Sequence, residues 1–424
     1  KPNQNEISLP YISNMPDLDI GKEGLEKSFN PMLVGKAGKR EIEVNSSGRI
    51  IREISRTDSK QGNDLKLTLD MRLQKFALDL LNIHKAGSIV VMNIENGHVL
   101  CMASTPSYNP NKIIKKPNKE YWDSILQNDL SPLTFRSIQG LYAPGSTFKM
   151  IVAIAALYYG VIDTSSNHYC NGKISLGDRL YHCWKNKGHG SLSVTGAIQQ
   201  SCDVYFYEIS KKIGIDKIAK VAKDFGLGKI YNIPLNNQKL GIIPSKKWKK
   251  ENLNESWYPG ETLISAIGQG FVLTSPLQLA NMTSIIASDG RIIEPKIVND
   301  GNFENNVTLE KYKNAIKIIK NSMFKVVNEV KGTAYKSKSE GILFSGKTGT
   351  SQVRRITVAE RESDDFRKKE VEWSKRDHAL FVGYMPSDKP KYSISVVIEH
   401  GGSGASTAAP IAKKIFQYIN KTGI

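Results

Sequence analysis

Apolar and polar positions along the chain fall into two periods, and the changes between them mark its elements. Leu65-Lys66-Leu67-Thr68-Leu69 alternates with period two and predicts a strand. Asp70 then caps a predicted helix whose Leu73, Phe76, Ala77 and Leu80 share one face. Ser88–Met92 and His98–Ala103 flank Glu95-Asn96-Gly97, which predicts a hairpin. Near the C-terminus, Ala379–Tyr384 and Tyr392–Ile398 read as two further strands. Ile411, Ala412, Ile415, Phe416 and Ile419 recur at helical spacing. The apolar run Met150–Tyr159 predicts a buried helix, because it falls short of the roughly 18 apolar residues that a membrane span needs. Strands at both ends of one domain, with helices between, predict an α+β fold in which a mostly antiparallel sheet packs against helices.

Residues 1–62 differ in texture. They are polar and punctuated by Gly21, Gly24, Gly35, Gly38 and Gly48, with a few short strands such as Arg40–Val44. They are read as a small separate module, and residues 63–424 as the main domain. Arg354–Asp377 is dense in charge of both signs and poor in apolar residues, which predicts a mobile loop between two strands.

The 424 residues include 59 basic and 41 acidic side chains, a formal net charge of +18. The basic residues are scattered, as in Lys246-Lys247-Trp248-Lys249-Lys250, and no nucleic-acid motif accompanies them. A charged surface without a nucleic-acid partner is the reading.

Three motifs carry chemistry. In Pro144-Gly145-Ser146-Thr147-Phe148-Lys149 a turn leads into the apolar helix. Residues three apart on a helix share one face, with about 5–6 Å between Cβ atoms. An amine at Lys149 is therefore placed to take the proton of Ser146, without which a hydroxyl is a weak nucleophile. Ser201-Cys202-Asp203 is the second motif, and Lys347-Thr348-Gly349-Thr350 the third. A strand of the latter composition offers a backbone N–H for an oxyanion, and hydroxyls and a cation for a carboxylate. Gly341-x-x-x-x-Gly346-Lys347-Thr348 also matches a phosphate-binding loop formally. Such a loop needs a helix directly after it, and a charged segment with strands follows instead.

Ser-x-x-Lys, Ser-x-Asp and Lys-Thr-Gly in this order resemble the penicillin-binding proteins and serine β-lactamases. The chain is most similar to class B penicillin-binding proteins of the elongation-type penicillin-binding protein 2 group. Leu67–Asp70, Ala103–Ser107, Ile267–Gly270, Thr274–Ala280 and His378–Tyr384 carry the likeness over residues 63–424. Residues 20–60 resemble the end of that family's N-terminal pedestal.

The resemblance implies a peptidoglycan D,D-transpeptidase. Ser146 would attack the D-Ala-D-Ala carbonyl of a stem peptide, with Lys149 as general base and Ser201 relaying a proton to the leaving amine. Lys347, Thr348, Gly349 and Thr350 would line the substrate strand, and the N–H groups of Ser146 and Thr350 would form the oxyanion hole. Asp203 stands where the broader pattern has Asn, so the amide donor expected to meet the substrate is missing. The family further implies acylation by β-lactams, an N-terminal membrane anchor and a periplasmic site of action. Its implied partners are a SEDS-type glycosyltransferase and the rod-shape scaffold. A serine β-lactamase and a non-catalytic penicillin-binding sensor or scaffold are the alternatives. No cofactor is expected for catalysis.

Cys170, Cys183, His189 and Cys202 supply three thiols and one imidazole, donors suited to a structural zinc ion. Elongation-type relatives imply a metal site at matching positions. A Cys170–Cys183 disulfide and unlinked thiols remain the alternatives, and His182 is the rival to His189. No role is drawn for Arg136 or for the five tryptophans.

Overall fold

The computed structural model describes residues 20–114, 118–299, 301, 307–354 and 371–424. These fall into two compact units. The first comprises the residues up to Leu67 together with Asn232–Gln238 and Ile297–Gly301. Two short helices, Gly24–Ser28 and Asn30–Leu33, precede an antiparallel hairpin of β1 (Lys39–Val44) and β2 (Ile50–Thr57). Arg40–Glu53 and Arg52–Glu43 pair across it, exposed on both sides and therefore worth little each. The alternating segment Leu65–Leu69 does not join a ladder. Its only pairing among the described residues is a single bridge from Leu67 to Val298, so period-two alternation found too short a partner to become a strand. The division between the units accordingly falls after Leu67.

The second unit opens with the helix Met71–Leu81. Asp70 caps it, accepting from the N–H groups of Arg72 and Leu73 at 2.9 and 3.1 Å. Leu73, Ala77, Leu80 and Leu81 are buried, and Phe76 stacks on Tyr418 with ring centroids 4.3 Å apart. The hairpin of β3 (Gly87–Asn93) and β4 (Val99–Thr105) follows. Two small ladders come next: β5 (His168–Cys170) pairs with β8 (Gly190–Leu192), and β6 (Lys173–Leu176) pairs with β7 (Arg179–His182). Finally β9 (Ser345–Ser351), β10 (His378–Met385) and β11 (Tyr392–Ile398) complete a five-stranded antiparallel sheet in the order β4-β3-β11-β10-β9. The first and last strands of the domain thus lie side by side, the closure expected from strands at both ends.

Helices cover both faces of the sheet, so its inner strands read as buried throughout. On β11, Ser393 and Ser395 face the helix Pro276–Ala287, where Ser284 Oγ and Ser393 Oγ are 2.7 Å apart. Small side chains there admit the helix closely. The alternate residues Tyr392, Ile394, Val396 and Ile398 face the other way, and Tyr392 donates to the carbonyl of Ile424 beyond the closing helix Ala409–Thr422. Phe344, Phe381 and Phe416 fill the space between β9, β10 and that helix.

Of the charged segment Arg354–Asp377, residues 355–370 lie outside the described residues, and Trp373–Lys375 form one turn of 3-10 helix. Lys347 and Thr348 lie within β9, antiparallel to β10, and no helix follows directly. That arrangement rules out the phosphate-loop alternative. Among the described residues no helix is long and apolar enough to cross a membrane. Phe416 is fully buried, so Phe416→Ala should cost about 3–5 kcal/mol in urea unfolding. Ile83, 75% exposed, should tolerate alanine within about 0.5 kcal/mol.

Candidate active site

Ser146 lies in a 3-10 turn, Gly145–Phe148, that runs directly into the helix Lys149–Tyr158. Thr147 Oγ1 closes the turn on the Pro144 carbonyl at 2.8 Å. Every residue from Lys149 to Ala156 is buried, so an unbroken core surrounds the helix. Lys149 itself is fully buried. A lysine in such a place needs partners, and the second motif provides them. Lys149 Nζ lies 2.6 Å from Asp203 Oδ1, 2.9 Å from the Ser201 carbonyl and 3.2 Å from Ser201 Oγ. Ser146 Oγ is half-buried, and among the described residues it forms no hydrogen bond with Lys149. The carboxylate has drawn the ammonium toward the second motif.

Ser201 occupies the break between the helices Val194–Gln199 and Asp203–Ile213. Its φ of +55° lies in the left-handed region that a non-glycine residue rarely adopts. Lys347 Nζ reaches Ser201 Oγ from β9 at 3.0 Å and the Thr348 carbonyl at 3.0 Å. One serine hydroxyl therefore lies between two amines drawn from two distant motifs. Burial and the neighbouring Lys149 charge push the Lys347 amine well below its ordinary range, with Asp203 acting in the opposite sense. Burial likewise raises the Asp203 carboxyl, against the pull of Lys149.

Asp203 is engaged from within the protein. Its Oδ1 holds Lys149 and its Oδ2 accepts the Trp184 N–H at 2.8 Å, which uses both oxygens inside the protein. Its internal ion pair with Lys149 is a role that a carboxylate serves better than an amide. Gly349 sits where two backbone segments meet. A β-carbon built there would lie 2.9 Å from the Pro144 carbonyl oxygen, so the missing side chain makes room for the nucleophile turn. Thr348 Oγ1 lies 2.7 Å from Thr333 Oγ1. Thr350, at the outer end of β9, is half-buried.

Beside Asp203 the small ladders gather the cysteines. Cys170 ends β5 opposite Gly190, the Cys183 N–H donates to the Gly172 carbonyl at 2.8 Å, and Cys202 caps the helix Asp203–Ile213. The ligand atoms of Cys170, Cys183, His189 and Cys202 all lie within 4.8 Å of one another, without His182. His189 Nδ1 is 3.7 Å from Cys170 Sγ and 3.5 Å from Cys183 Sγ. Tetrahedral zinc at ordinary bond lengths separates sulfur and nitrogen ligands by about 3.6 Å, so the donor set fits that ion. All four cysteines are free thiols, which removes the disulfide alternative here. The bond from the Cys202 thiol pulls Cys183 toward the thiolate and, reciprocally, raises Cys202.

Two further participants were given no role by the sequence, although Gln269 lies in the Ile267–Gly270 segment that carries the family likeness. Trp184 holds Asp203 through its N–H, and its indole Nε1 donates to the Ser201 carbonyl at 3.0 Å. Gln269 donates from Nε2 to the Thr350 carbonyl at 3.1 Å. Arg136 is also placed: it is buried and paired with Glu399 at 2.8 Å, where the Tyr142 hydroxyl donates at 2.6 Å.

The penicillin-binding protein transpeptidase domain matches residues 87–417, and the penicillin-binding protein dimerisation domain matches residues 11–67. Peptidoglycan D,D-transpeptidase MrdA of Haemophilus influenzae is 33% identical over 418 residues, covering 94% of this chain and 63% of that protein. Its namesake in Acinetobacter baumannii is 35% identical over 417 residues, covering 94% and 60%. The chain thus spans somewhat under two thirds of these relatives. Penicillin-binding protein 2 of Helicobacter pylori, solved in complex with MreC, matches at a TM-score of 0.85 and 32% identity over 95% of this chain and 73% of that one. The Pseudomonas aeruginosa protein, solved with WCK 5153, matches at 0.79 and 32% over 94% and 83%. Sheet order, motif convergence and these matches agree that the chain belongs to the penicillin-binding protein transpeptidase family, within the elongation-type penicillin-binding protein 2 group.

Proposed function

We propose that the protein is a peptidoglycan D,D-transpeptidase that cross-links stem peptides through an acyl-enzyme on Ser146 during cell elongation. The observation that carries this reading is the placement of Ser201 Oγ between Lys149 Nζ and Lys347 Nζ, at 3.2 and 3.0 Å. With one carboxylate in the cluster, the site favours one ammonium and one neutral amine. In the free enzyme Asp203 holds the ammonium on Lys149. A substrate carboxylate arriving at Lys347 favours the charge there instead. The proton then passes from Lys149 to Ser201 Oγ while the Ser201 hydroxyl proton passes to Lys347, and Lys149 becomes a base.

The neutral Lys149 takes the Ser146 proton as Oγ bonds to the carbonyl carbon of the penultimate D-Ala. The oxyanion is received by the N–H groups of Ser146 and Thr350. Collapse breaks the bond to the last D-Ala, whose nitrogen takes a proton through Ser201. An amine of a neighbouring stem then attacks the ester, loses its proton along the same path, and returns Ser146. A β-lactam follows the first half and stays attached. Cys170, Cys183, His189 and Cys202 would hold a structural zinc ion; four protein ligands leave no position for substrate. The relatives solved with MreC and in a peptidoglycan synthase complex support a rod-shape scaffold and a SEDS-type glycosyltransferase as partners. The same kinship supports action on the periplasmic face of the inner membrane.

Three outcomes test this reading. Wild type should retain labelled penicillin and Ser146→Ala should take none while keeping its thermal midpoint. Rapid turnover of the label would identify a β-lactamase instead, and an unlabelled wild type a binding scaffold. The acylation rate should rise with pH, because the depressed Lys347 amine is neutral only above its own lowered pKa. Asp203 is the one charge that raises Lys347, so Asp203→Asn should move this rise to lower pH; an unmoved profile would contradict the shared-proton scheme. Native mass spectrometry should find one zinc ion, and a chelator should lower the thermal midpoint by roughly 2–3 °C, equivalent to about 2 kcal/mol.

A further inference from the structure

Thr350 lies on β9, the edge strand of the sheet. In an extended strand the N–H and C=O of one residue point to the same side. The Thr350 carbonyl accepts from Gln269 Nε2 at 3.1 Å, so its N–H also points to the open edge, away from β10. The nucleophile turn packs against that edge. A β-carbon built on Gly145 would lie 2.5 Å from the Thr350 carbonyl oxygen and 3.2 Å from the Thr350 nitrogen.

Gln269 is itself held firmly. It follows the helix Pro259–Ala266, and its N–H donates to the Ile264 carbonyl at 3.1 Å while that of Gly268 donates to Ser265 at 2.9 Å. The Gly268 carbonyl accepts the Gly145 N–H at 2.9 Å. Gly268 has a φ of +69°, and a β-carbon on it would lie 2.1 Å from the Gly145 carbonyl oxygen, so no other residue fits. Two adjacent residues therefore grip both halves of the nucleophile pocket: Gly268 holds the turn before Ser146 through its backbone, and Gln269 holds β9 through its side chain.

We propose that Gln269 is a positioning residue for the oxyanion hole, its amide occupying the Thr350 carbonyl so that the neighbouring N–H stays aimed at the oxygen of the acylated carbonyl. The inference rests on the reading of Ser146 as nucleophile. Without the amide, a partly negative carbonyl stands unpaired at the rim of a site that must receive an oxyanion, and the strand end is free to tilt. The role is electrostatic and geometric, and Gln269 touches no substrate atom.

The test compares wild type with Gln269→Glu, nearly the same shape but unable to donate, and Gln269→Ala. A fluorescent penicillin series separates the saturating acylation rate from the half-saturating concentration. Isotope-edited infrared difference spectra of the acyl-enzyme read the ester carbonyl stretch, which an intact oxyanion hole lowers. Both variants should lose about 10- to 100-fold in the saturating rate, keep the half-saturating concentration within about threefold, and show the carbonyl band at higher wavenumber. Wild-type rates in both variants would overturn the proposal. So would slower acylation with an unmoved carbonyl band, since Gln269 would then serve only the fold. A wild type that takes no label overturns the nucleophile assignment itself, which separates the two failures.

Discussion

Two buried amines sharing one hydroxyl, with one carboxylate to balance them, is the constraint on which the rest of the site depends. An isolated buried ammonium is costly, and two within reach of each other would be prohibitive. Asp203 makes one ammonium tolerable. Burial and the first charge keep the second amine neutral-leaning. The strained backbone of Ser201 follows from this, because only a chain break between two helices lets its carbonyl and hydroxyl both face Lys149.

The surrounding fold serves to bring that arrangement into contact with β9. The helix Lys149–Tyr158 delivers the first amine from within the core, and the sheet delivers the second from its edge. Their approach is backbone to backbone at Gly145 and Gly349, where side chains would intrude. The cysteine–histidine cluster adjoins the same region, because the Asp203 N–H points at Cys183 Sγ at 3.4 Å. The small ladders and the helix capped by Cys202 are thus tied to the counter-ion of Lys149 through short, local bonds.

Much of this was legible in the sequence where function rests on local spacing. The helix from Met71, the first hairpin and both late strands follow from periodicity, and the convergence of the three motifs is what the family resemblance implied. The four sulfur and nitrogen donors were legible as residue types, although their wide spacing says nothing about geometry. What escaped depends on partners far apart in the chain. Leu65–Leu69 alternates like a strand, yet alternation cannot reveal that only Val298 is available to pair. Asp203 read as a substrate contact because its motif usually carries an amide; its actual partner is set by the depth of Lys149. Gln269 and Trp184 act through bonds to β9 and the second motif; the segment Ile267–Gly270 marked the family, yet neither it nor a lone tryptophan tells which distant carbonyl is met.

The all-round burial of the helix that starts at Lys149 also bears on where the sequence can vary. Truncating a side chain in that core costs about 2–5 kcal/mol, a large share of the roughly 5–15 kcal/mol that keeps a protein folded. Substitution therefore has little room on that helix. Variation is tolerated best at exposed positions such as Ile83, which support no part of that interior.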